Sequence, residues 1–353
     1  MTGPTTARTA GSTAVAPQLI DLHPQVADMR ALVLEGMARQ PRQLPAWLLY
    51  DAEGSRLFEA ICEQPEYSLT RTEVALLETY SAAIATTVRG CGGPGAAPAA
   101  DIAVLEFGAG NARKASPLLA ALVPAAYVAL DISRSALEGT LANLQAAHPR
   151  TQVLGVCCDY AAASTLPPLS VLADHHLLGF YPGSSIGNFE PSEARRLMRQ
   201  FRRLLGPGGL LLIGVDQPKA PARLEAAYND AAGVSATFAL NLLTRLNRDL
   251  KGGFQPETFR YRARWQPEHS RIAMGLVSRC DQTVPLAGRH WHFQQGEELI
   301  TEYSVKYSPA TFESLAADAG WRPLARWSTG AGEPGGGEDG DLSLHLLAQA
   351  DFS

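Results

Sequence analysis

The stretch VLEFGAGNARK, residues 104–114, decides the fold. An apolar run closes with the acidic Glu106, and a G-x-G turn at Gly108 and Gly110 then opens a helix-like segment. A short apolar run that ends in a glycine turn is typical of a buried strand that leads into a helix. Because glycine adopts backbone conformations that other residues avoid, such a turn lets the main chain approach a ligand closely.

Beyond this turn, strand-like and helix-like segments alternate as far as Asp216. The segments are YVALDI (127–132), SALEGTLANLQAAH (135–148), VLGVCCDY (153–160), LLGFYPG (177–183), PSEARRLMRQFRRLL (191–205) and GGLLLIGVD (208–216). Apolar strands that alternate with amphipathic helices are typical of a parallel sheet covered on both faces. We therefore expect an α/β fold.

The regions on either side of this core have different patterns. Helix-like segments precede it at 23–40, 54–64 and 70–90, and RGCGGPGAAPAA (89–100) is predicted to be a flexible loop. After the core we expect one long helix over 222–250 and strands over 258–266, 271–280, 289–295 and 298–308. A helix (309–320), a Gly-rich loop (329–341) and a strand (341–349) follow. The hairpin-like strands indicate either a second lobe or an antiparallel extension of the sheet.

The composition disfavours several classes of protein. The net charge of −5 without a long basic run argues against nucleic-acid binding. The chain has five cysteines, namely Cys62, Cys91, Cys157, Cys158 and Cys280. They form no C-x-x-C pair, so we expect free thiols in a reducing cytosol and no disulfide framework or zinc site. No apolar run approaches the ~18 residues that span a membrane, and residues 1–17 suggest a disordered leader rather than a signal peptide.

The glycine turn fits one cofactor better than others. A dinucleotide fingerprint needs a third glycine where this chain has Arg113, and Lys114 lacks the spacing of a phosphate loop. S-adenosylmethionine explains more features, because Asp131 and Asp159 end the next two predicted strands. The first carboxylate can accept hydrogen bonds from ribose hydroxyls and the second from the adenine amine. Lys114 can reach the cofactor carboxylate, and LLGPGGLLLIGVD (204–216) is the usual approach to the fifth strand of class I methyltransferases.

Other interpretations of these residues stay open. A strand-end acid such as Asp131 often caps the next helix, and an NAD-dependent enzyme is the alternative for this half of the chain. The motif GSSIG (183–187) matches a serine-hydrolase elbow, but Pro191 marks a helix start several residues too late. His290 and His292 share one face of a predicted strand, yet no further ligand lies at a suitable spacing, so we expect no metal site.

The chain also resembles a known family, the stand-alone histidine Nα-methyltransferases of ergothioneine biosynthesis, relatives of the fungal dimethylallyltryptophan N-methyltransferases. Besides the glycine turn, the matching segments are YDAEGSRLFEAICEQPEYSLTRTE (50–73), FYPGSSIGNFEPSEA (180–194), YNDAAGVSATFALNLL (228–243) and TEYSVKYS (301–308). The resemblance implies a class I Rossmann-like core over 71–217. It also implies an α+β substrate-binding lobe assembled from 18–70 and 218–353.

The resemblance further implies a set of site residues. Asn188 and Tyr228 would hold the substrate carboxylate, Glu302 and Ser304 would bind the imidazole, Tyr67 would line the pocket, and Tyr50 would lie near the amine. Tyr50, Asn188 and Tyr228 are the implied catalytic residues. The expected cofactor contacts are Gly108, Gly110, Lys114, Asp131, Asp159 and Tyr160. The implied reaction is direct displacement by the α-amine of L-histidine, repeated up to the trimethylated betaine, in a cytoplasmic monomer.

The residues alone favour plainer roles. In ITEYSVKYS, period-two alternation places Glu302, Ser304 and Lys306 on one face, and a half-exposed strand with a solvated polar face is the interpretation favoured by the pattern. Asn188 could end a turn, and Tyr228 could be a core residue of a long helix. The chain also has SL at 68–69 where the family usually has YP. Another aromatic amino acid or a histidine derivative therefore remains the alternative substrate, and a non-catalytic binding module is the alternative from a different class.

Overall fold

The computed structural model describes residues 18–22, 26–91, 102–161, 166–330 and 340–350. The expected leader (1–17) and most of the loops expected at 89–100 and 329–341 lie outside these ranges. The helices are α1 Val26–Ala38, α2 Ala52–Cys62, α3 Leu69–Gly90, α4 Ala115–Leu122, α5 Arg134–Ala147, α6 Pro191–Leu205, α7 Pro221–Ala227, α8 Val234–Leu250 and α9 Pro309–Asp318. The strands are β1 Gln18–Asp21, β2 Arg42–Gln43, β3 Ile102–Phe107, β4 Ala126–Asp131, β5 Gln152–Cys157, β6 His176–Tyr181, β7 Leu210–Asp216, β8 Phe259–Gln266, β9 Arg271–Ser278, β10 Gln282–Leu286, β11 Arg289–Phe293, β12 Glu298–Val305, β13 Trp321–Ser328 and β14 Leu342–Gln349.

The central element is an eight-stranded sheet in the order β1-β5-β4-β3-β6-β7-β14-β13. The strands from β1 to β7 in this order pair in parallel, whereas β14 pairs antiparallel with both β7 and β13. This is the α/β core with a parallel sheet that the alternating segments predict, extended by one antiparallel hairpin.

Both faces of this sheet are buried, which explains why its strands are continuous apolar runs. Val104 of β3 packs in an apolar cluster with Leu77 of α3, while its neighbour Leu105 packs in a second cluster with Phe201 of α6. All four side chains are fully buried. Since burying a large apolar side chain contributes about 1.5–3 kcal/mol, both faces stabilise the same strand.

A smaller four-stranded sheet, in the order β2-β12-β9-β8, lies beside helix α8, which in turn packs against α2. Asp51 joins these helices: its carboxylate accepts from the Gly54 amide of α2 and from Asn241 of α8, each at 2.8 Å, and from Arg248 at 2.9 Å. The N-terminal helices are therefore tied to the region that follows the core.

The helix expected over 222–250 is wrong in one respect, because the structure divides it into α7 and α8. Asp230 accepts hydrogen bonds from the amides of Val234 and Ser235 at 2.7 and 2.8 Å and so caps α8. Gly233 has φ +74°, which ends any continuous helix there. Tyr228 consequently lies at the end of α7 and not inside a long helix.

The expected bounds of the substrate-binding lobe do not coincide with the bounds of the two sheets. Segments 18–70 and 218–353 were both expected in the substrate-binding lobe, but β1 and the β13–β14 hairpin belong to the large sheet. The sequence pattern did not predict β1, β2, β10 or β13, whose mixed polar and apolar residues lack a clear period. Within the described ranges, no helix combines the length and apolar character needed to cross a lipid bilayer.

Candidate active site

The carboxyl ends of the parallel strands define the location of the site. Strands β4 and β5 lie on one side of β3, and the chain then crosses over to add β6 and β7 on the other side. Ligands of open α/β sheets bind at the carboxyl edge where the strand order reverses in this way. The glycine turn follows β3 directly, so it lies at this edge.

The glycine turn is held against the end of β4. Gly108 and Gly110 have φ values of +74° and +53°, which side chains with a Cβ rarely adopt. The Gly108 amide donates to the Leu130 carbonyl at 2.8 Å, and the Gly110 amide donates to the Asp131 carboxylate at 2.8 Å. A Cβ on Gly108 would lie 3.1 Å from the Tyr160 hydroxyl. The turn therefore keeps the main chain close to the residues expected to bind the cofactor.

Asp131 lines a cavity at this edge of the sheet, and its carboxylate also accepts hydrogen bonds from nearby backbone amides. Its second oxygen accepts from the Ser133 amide at 2.8 Å, and Ser133 itself caps α5. Burial raises the pKa of Asp131, and hydrogen bonds from three backbone amides, including those of Ser133 and Gly110, oppose this shift. Asp159 likewise accepts from the Ala161 amide at 3.0 Å. The capping interpretation and the cofactor prediction are thus compatible for Asp131.

Lys114 has a partner that the sequence did not indicate. Its ammonium lies 2.9 Å from the carboxylate of Glu73, which is fully buried on α3, and both oxygens of Glu73 also accept from the Gly183 amide at 2.8–2.9 Å. Lys114 precedes α4 and remains 19% exposed at the cavity. This ion pair fixes the lysine between α3 and the loop after β6.

Glu106 is a second acid whose role the sequence analysis did not assign. It is the next-to-last residue of β3 and is 1% exposed, and its carboxyl accepts a hydrogen bond from Tyr127. Burial raises the pKa of Glu106 to about 8, although Tyr127 and Lys114 oppose the shift. An acid at the end of an otherwise apolar run was the available signal, because a buried carboxyl needs a local reason to be there.

The expected site residues line two adjoining cavities. The larger, of about 850 Å³, has all six expected cofactor contacts in its wall: Gly108, Gly110, Lys114, Asp131, Asp159 and Tyr160. The smaller, of about 70 Å³, has all six expected substrate and catalytic residues in its wall: Tyr50, Tyr67, Asn188, Tyr228, Glu302 and Ser304. Four of these residues line both cavities: Tyr50, Tyr67, Asn188 and Glu302.

Asn188 and Glu302 meet where the two cavities join. Asn188 ends a short 3₁₀ turn between β6 and α6, and its amide donates to the Glu302 carboxyl at 2.8 Å. Glu302 is 9% exposed. Burial raises the pKa of Glu302 to about 8, and Lys306 opposes this only in part. A buried acid beside an amide can therefore exchange a proton with a ligand near neutral pH.

Tyr228 and Ser304 form the second polar pair. Their hydroxyl oxygens are 2.9 Å apart, which joins the end of α7 to β12. The sequence placed these residues more than seventy positions apart, and only the packing of α7 against the small sheet brings them together.

Aromatic rings form the apolar wall of the smaller cavity. Tyr50 makes edge-to-face contacts with Phe58 and Phe238 at centroid distances of 5.5 and 5.4 Å, and Tyr67 contacts Tyr228 in the same way at 5.8 Å. Such contacts contribute about 0.5–1.5 kcal/mol each beyond area burial and hold the ring planes in place. Phe58 and Phe238 were not predicted, since isolated aromatics on amphipathic helices look like ordinary core residues.

The expected half-exposed strand at 298–308 is wrong. Glu302, Ser304 and Lys306 are at most 9% exposed, so the polar face of β12 is buried. A register shift between Ile300 and Glu302 re-aims the residues that follow. The alternation itself was predicted correctly, but the loop after β6 and α7 cover the polar face.

The structure also places the residues of two other motifs. Ser185 of GSSIG donates to the Pro182 carbonyl at 3.1 Å, and α6 begins only at Pro191. His290 and His292 are both exposed on the hairpin β10–β11. No cluster of three or more metal-ligating side chains occurs in the ranges that the structure describes.

The chain is similar to known proteins of one family. Residues 29–334 match the family model described as histidine-specific methyltransferase, SAM-dependent. The histidine N-alpha-methyltransferase of Mycolicibacterium smegmatis is 34% identical over 87% of this chain and 93% of its own length. The Mycobacterium tuberculosis protein of that name is 33% identical over 91% and 95%. Ergothioneine biosynthesis protein 1 of Neurospora crassa is 32% identical over 89% of this chain and 34% of its own length.

The comparison confirms the predicted family resemblance and identifies S-adenosylmethionine as the cofactor, which excludes the NAD-dependent alternative. The protein is thus a methyltransferase with a Rossmann-like core. The chain belongs to the histidine-specific, S-adenosylmethionine-dependent methyltransferase family.

Proposed function

We propose that this enzyme transfers methyl groups from S-adenosylmethionine to the α-amine of L-histidine, up to the trimethylated betaine, as in ergothioneine biosynthesis. One observation carries the proposal: a cavity lined by every expected cofactor contact adjoins a smaller one lined by every expected substrate contact. The relatives' names support the choice of histidine.

The donor set of the larger cavity fits S-adenosylmethionine. The positive φ values of Gly108 and Gly110 open the main chain toward the ligand, and Asp131 and Asp159 offer acceptors for ribose and adenine. Lys114 offers a cation for the cofactor carboxylate, with Tyr160 beside the turn. When bound, this cofactor supplies an electrophilic methyl group on a sulfonium centre.

The residues of the smaller cavity are proposed to aim the substrate amine. Asn188 and Tyr228 would hold the carboxylate, while Glu302 and Ser304 would bind the imidazole. Fixing both ends of the amino acid restrains the amine between them, and positioning of this kind can supply most of the rate enhancement of a direct displacement. A substrate without a ring N–H would leave Glu302 without a partner, which disfavours phenylalanine or leucine.

Tyr50 is proposed to favour the growing ammonium. Burial raises the pKa of Tyr50 well above its ordinary value, so the ring carries a neutral phenol at physiological pH. Its contacts with Phe58 and Phe238 hold the ring in place. A ring face beside a methylated amine stabilises positive charge by about 0.5–2 kcal/mol.

We also propose that α1 and α2 together with α7, α8 and the small sheet form the substrate-binding lobe of a cytoplasmic monomer. All five cysteines lie in the described ranges and none forms a disulfide, and disulfides are rare in a reducing compartment. Size-exclusion chromatography with light scattering tests the monomer, which a dimer mass would contradict.

The proposed function is tested by mass spectrometry on one reaction. Purified enzyme and S-adenosylmethionine are incubated with an equimolar mixture of the twenty amino acids and sampled over time. We expect histidine to gain one, two and then three methyl groups. Methylation of tryptophan instead would keep the chemistry and remove the imidazole assignment of Glu302 and Ser304. Methylation of none, with S-adenosylhomocysteine binding intact in calorimetry, would point to a histidine derivative.

A further inference from the structure

Lys306 lies directly behind the proposed substrate pocket and contacts it only through other residues. Its side chain is fully buried immediately after β12, and it lines neither cavity. The main chain around it is fixed, because the Lys306 amide donates to the Ser270 carbonyl at 2.7 Å and the Tyr307 amide donates to the Asp216 carbonyl at 3.1 Å. The position of its ammonium is therefore set by the fold.

All three hydrogens of this ammonium have acceptors. They point to the Asp216 carboxylate at 2.7 Å, to the Tyr228 hydroxyl at 2.7 Å and to the Ser304 hydroxyl at 2.8 Å. A lysine ammonium has three donors and no acceptor, so the group is saturated. Lys306 thus contacts two of the residues that the proposed function assigns to the substrate, Tyr228 at the end of α7 and Ser304 in β12.

The charge of Lys306 is balanced inside the protein. Asp216 ends β7 at 2% exposure and also pairs with Lys219. Burial alone would lower the pKa of Lys306, but Asp216 and Tyr228 raise it above its ordinary value. Burial would raise the pKa of Asp216, but the two lysines hold it below its ordinary value. The ammonium therefore remains charged across the physiological range.

This arrangement restricts the directions of the two hydroxyl hydrogens. The Tyr228 and Ser304 oxygens each accept from Lys306, and they lie 2.9 Å apart, so one hydroxyl donates to the other. Of the two hydroxyl hydrogens, one is used within the pair and one remains for a ligand. A substrate carboxylate can only accept hydrogen bonds.

We propose that Lys306 is a positioning residue that makes Tyr228 the donor to the substrate carboxylate and Ser304 an acceptor for an imidazole N–H. This inference rests on the proposed function and deepens it. The Ser304 hydrogen goes to the Tyr228 oxygen, and the Tyr228 hydrogen goes to the carboxylate. Ser304 then has no hydrogen left for the ring.

A consequence follows for Glu302. When Ser304 accepts from the N–H of one ring nitrogen, the other ring nitrogen faces Glu302. One further proton then lies between that nitrogen and the Glu302 carboxyl. Either the acid donates to a neutral ring or an imidazolium donates to the carboxylate. A side chain with a single ring N–H satisfies only one of the two residues, so Lys306 contributes to the preference for histidine.

The test compares Lys306→Met with the double variant Lys306→Met/Asp216→Asn. The single variant leaves Asp216 paired only with Lys219, whereas the double variant also removes the acid's charge. We expect both folded variants to have a KM for histidine raised about 10- to 100-fold, the size of one charge-assisted hydrogen bond. The Kd for S-adenosylhomocysteine should stay within twofold. In a Tyr228→Phe/Ser304→Ala background, Lys306→Met should raise KM less than threefold further.

Three outcomes overturn the inference. A KM for histidine within twofold of wild type in the variants would show that Lys306 does not act through the pocket. Recovery of KM in the double variant would assign the loss to the charge left on Asp216. The third outcome, failure of the wild-type enzyme to methylate histidine, would overturn the proposed function as well, whereas the first two leave that function intact. If the single variant does not fold, the KM of the double variant alone is compared with that of wild type.

Discussion

Replacing Glu302 with glutamine should make the ligand-free protein more stable at alkaline pH. Burial raises the pKa of Glu302 from an ordinary value of 4.5 to about 8, so the folded protein keeps a proton that the unfolded chain releases. That stabilisation is complete below the ordinary pKa and is lost as the pH rises through the raised one. Each pH unit in this window costs about 1.4 kcal/mol, or roughly 3–4 kcal/mol between pH 5 and pH 8.

Glutamine keeps the shape of the side chain and the oxygen that accepts from Asn188 at 2.8 Å, but it does not titrate. Differential scanning fluorimetry at pH 5 to 9 on ligand-free wild type and Glu302→Gln measures the effect. We expect the melting temperature of the variant relative to wild type to rise by several degrees across this range. Glu106, whose pKa burial also raises to about 8, is common to both proteins and cancels from the difference.

The matched control is Glu78→Gln, the same change at an exposed position of α3. Because this side chain is exposed, the control measures what the loss of one surface carboxylate does by itself. Parallel curves for Glu302→Gln and wild type would refute the reasoning, because they would mean that Glu302 does not titrate in the window. Activity should move in the opposite direction: kcat/KM for histidine should fall about 10- to 100-fold, since a hydrogen bond to a charged group contributes about 1.5–3 kcal/mol.

Three further changes test other parts of the site. Asp131→Ala should weaken S-adenosylhomocysteine binding in calorimetry about 10- to 100-fold, whereas unchanged binding would mean that Asp131 acts only as an acceptor for nearby backbone amides. Gly187→Ala should raise the KM for histidine and cost about 1–3 kcal/mol of stability, because the added Cβ would lie 2.5 Å from the Val305 carbonyl; a wild-type melting curve would contradict this. Asp230→Ala should cost about 1–2 kcal/mol in chemical denaturation by removing the cap of α8, and an unchanged midpoint would mean that the cap does not stabilise the helix.

Much of the fold follows from local patterns in the sequence. The buried strands β3 to β7 were predictable because both of their faces are covered, so they are uninterrupted apolar runs. Helix α6 was predictable from Pro191 at its start and from its apolar period. Strands β1 and β13 were not, because both mix polar and apolar residues without a clear period, and β1 also pairs with the remote strand β5.

The division of the long helix shows the limit of periodicity. The apolar spacing from 222 to 250 continues through the break, so it predicts one helix. The Asp230 side chain competes with the helical hydrogen bonds, and Gly233 adopts a left-handed conformation at little cost. This break is what brings the Tyr228 hydroxyl to Ser304.

By itself the sequence determined the alternating strands and helices of the core and favoured S-adenosylmethionine over a dinucleotide, because a glycine turn and strand-end acids must occur in a fixed order along one chain. Only the tertiary structure decided the environment of the remaining site residues. Glu302, Ser304 and Lys306 alternate as they would on any half-exposed strand, yet they are buried because α7 and the loop after β6 pack over them. Burial depends on which distant segments cover a face, and that information is not contained in the period of the strand.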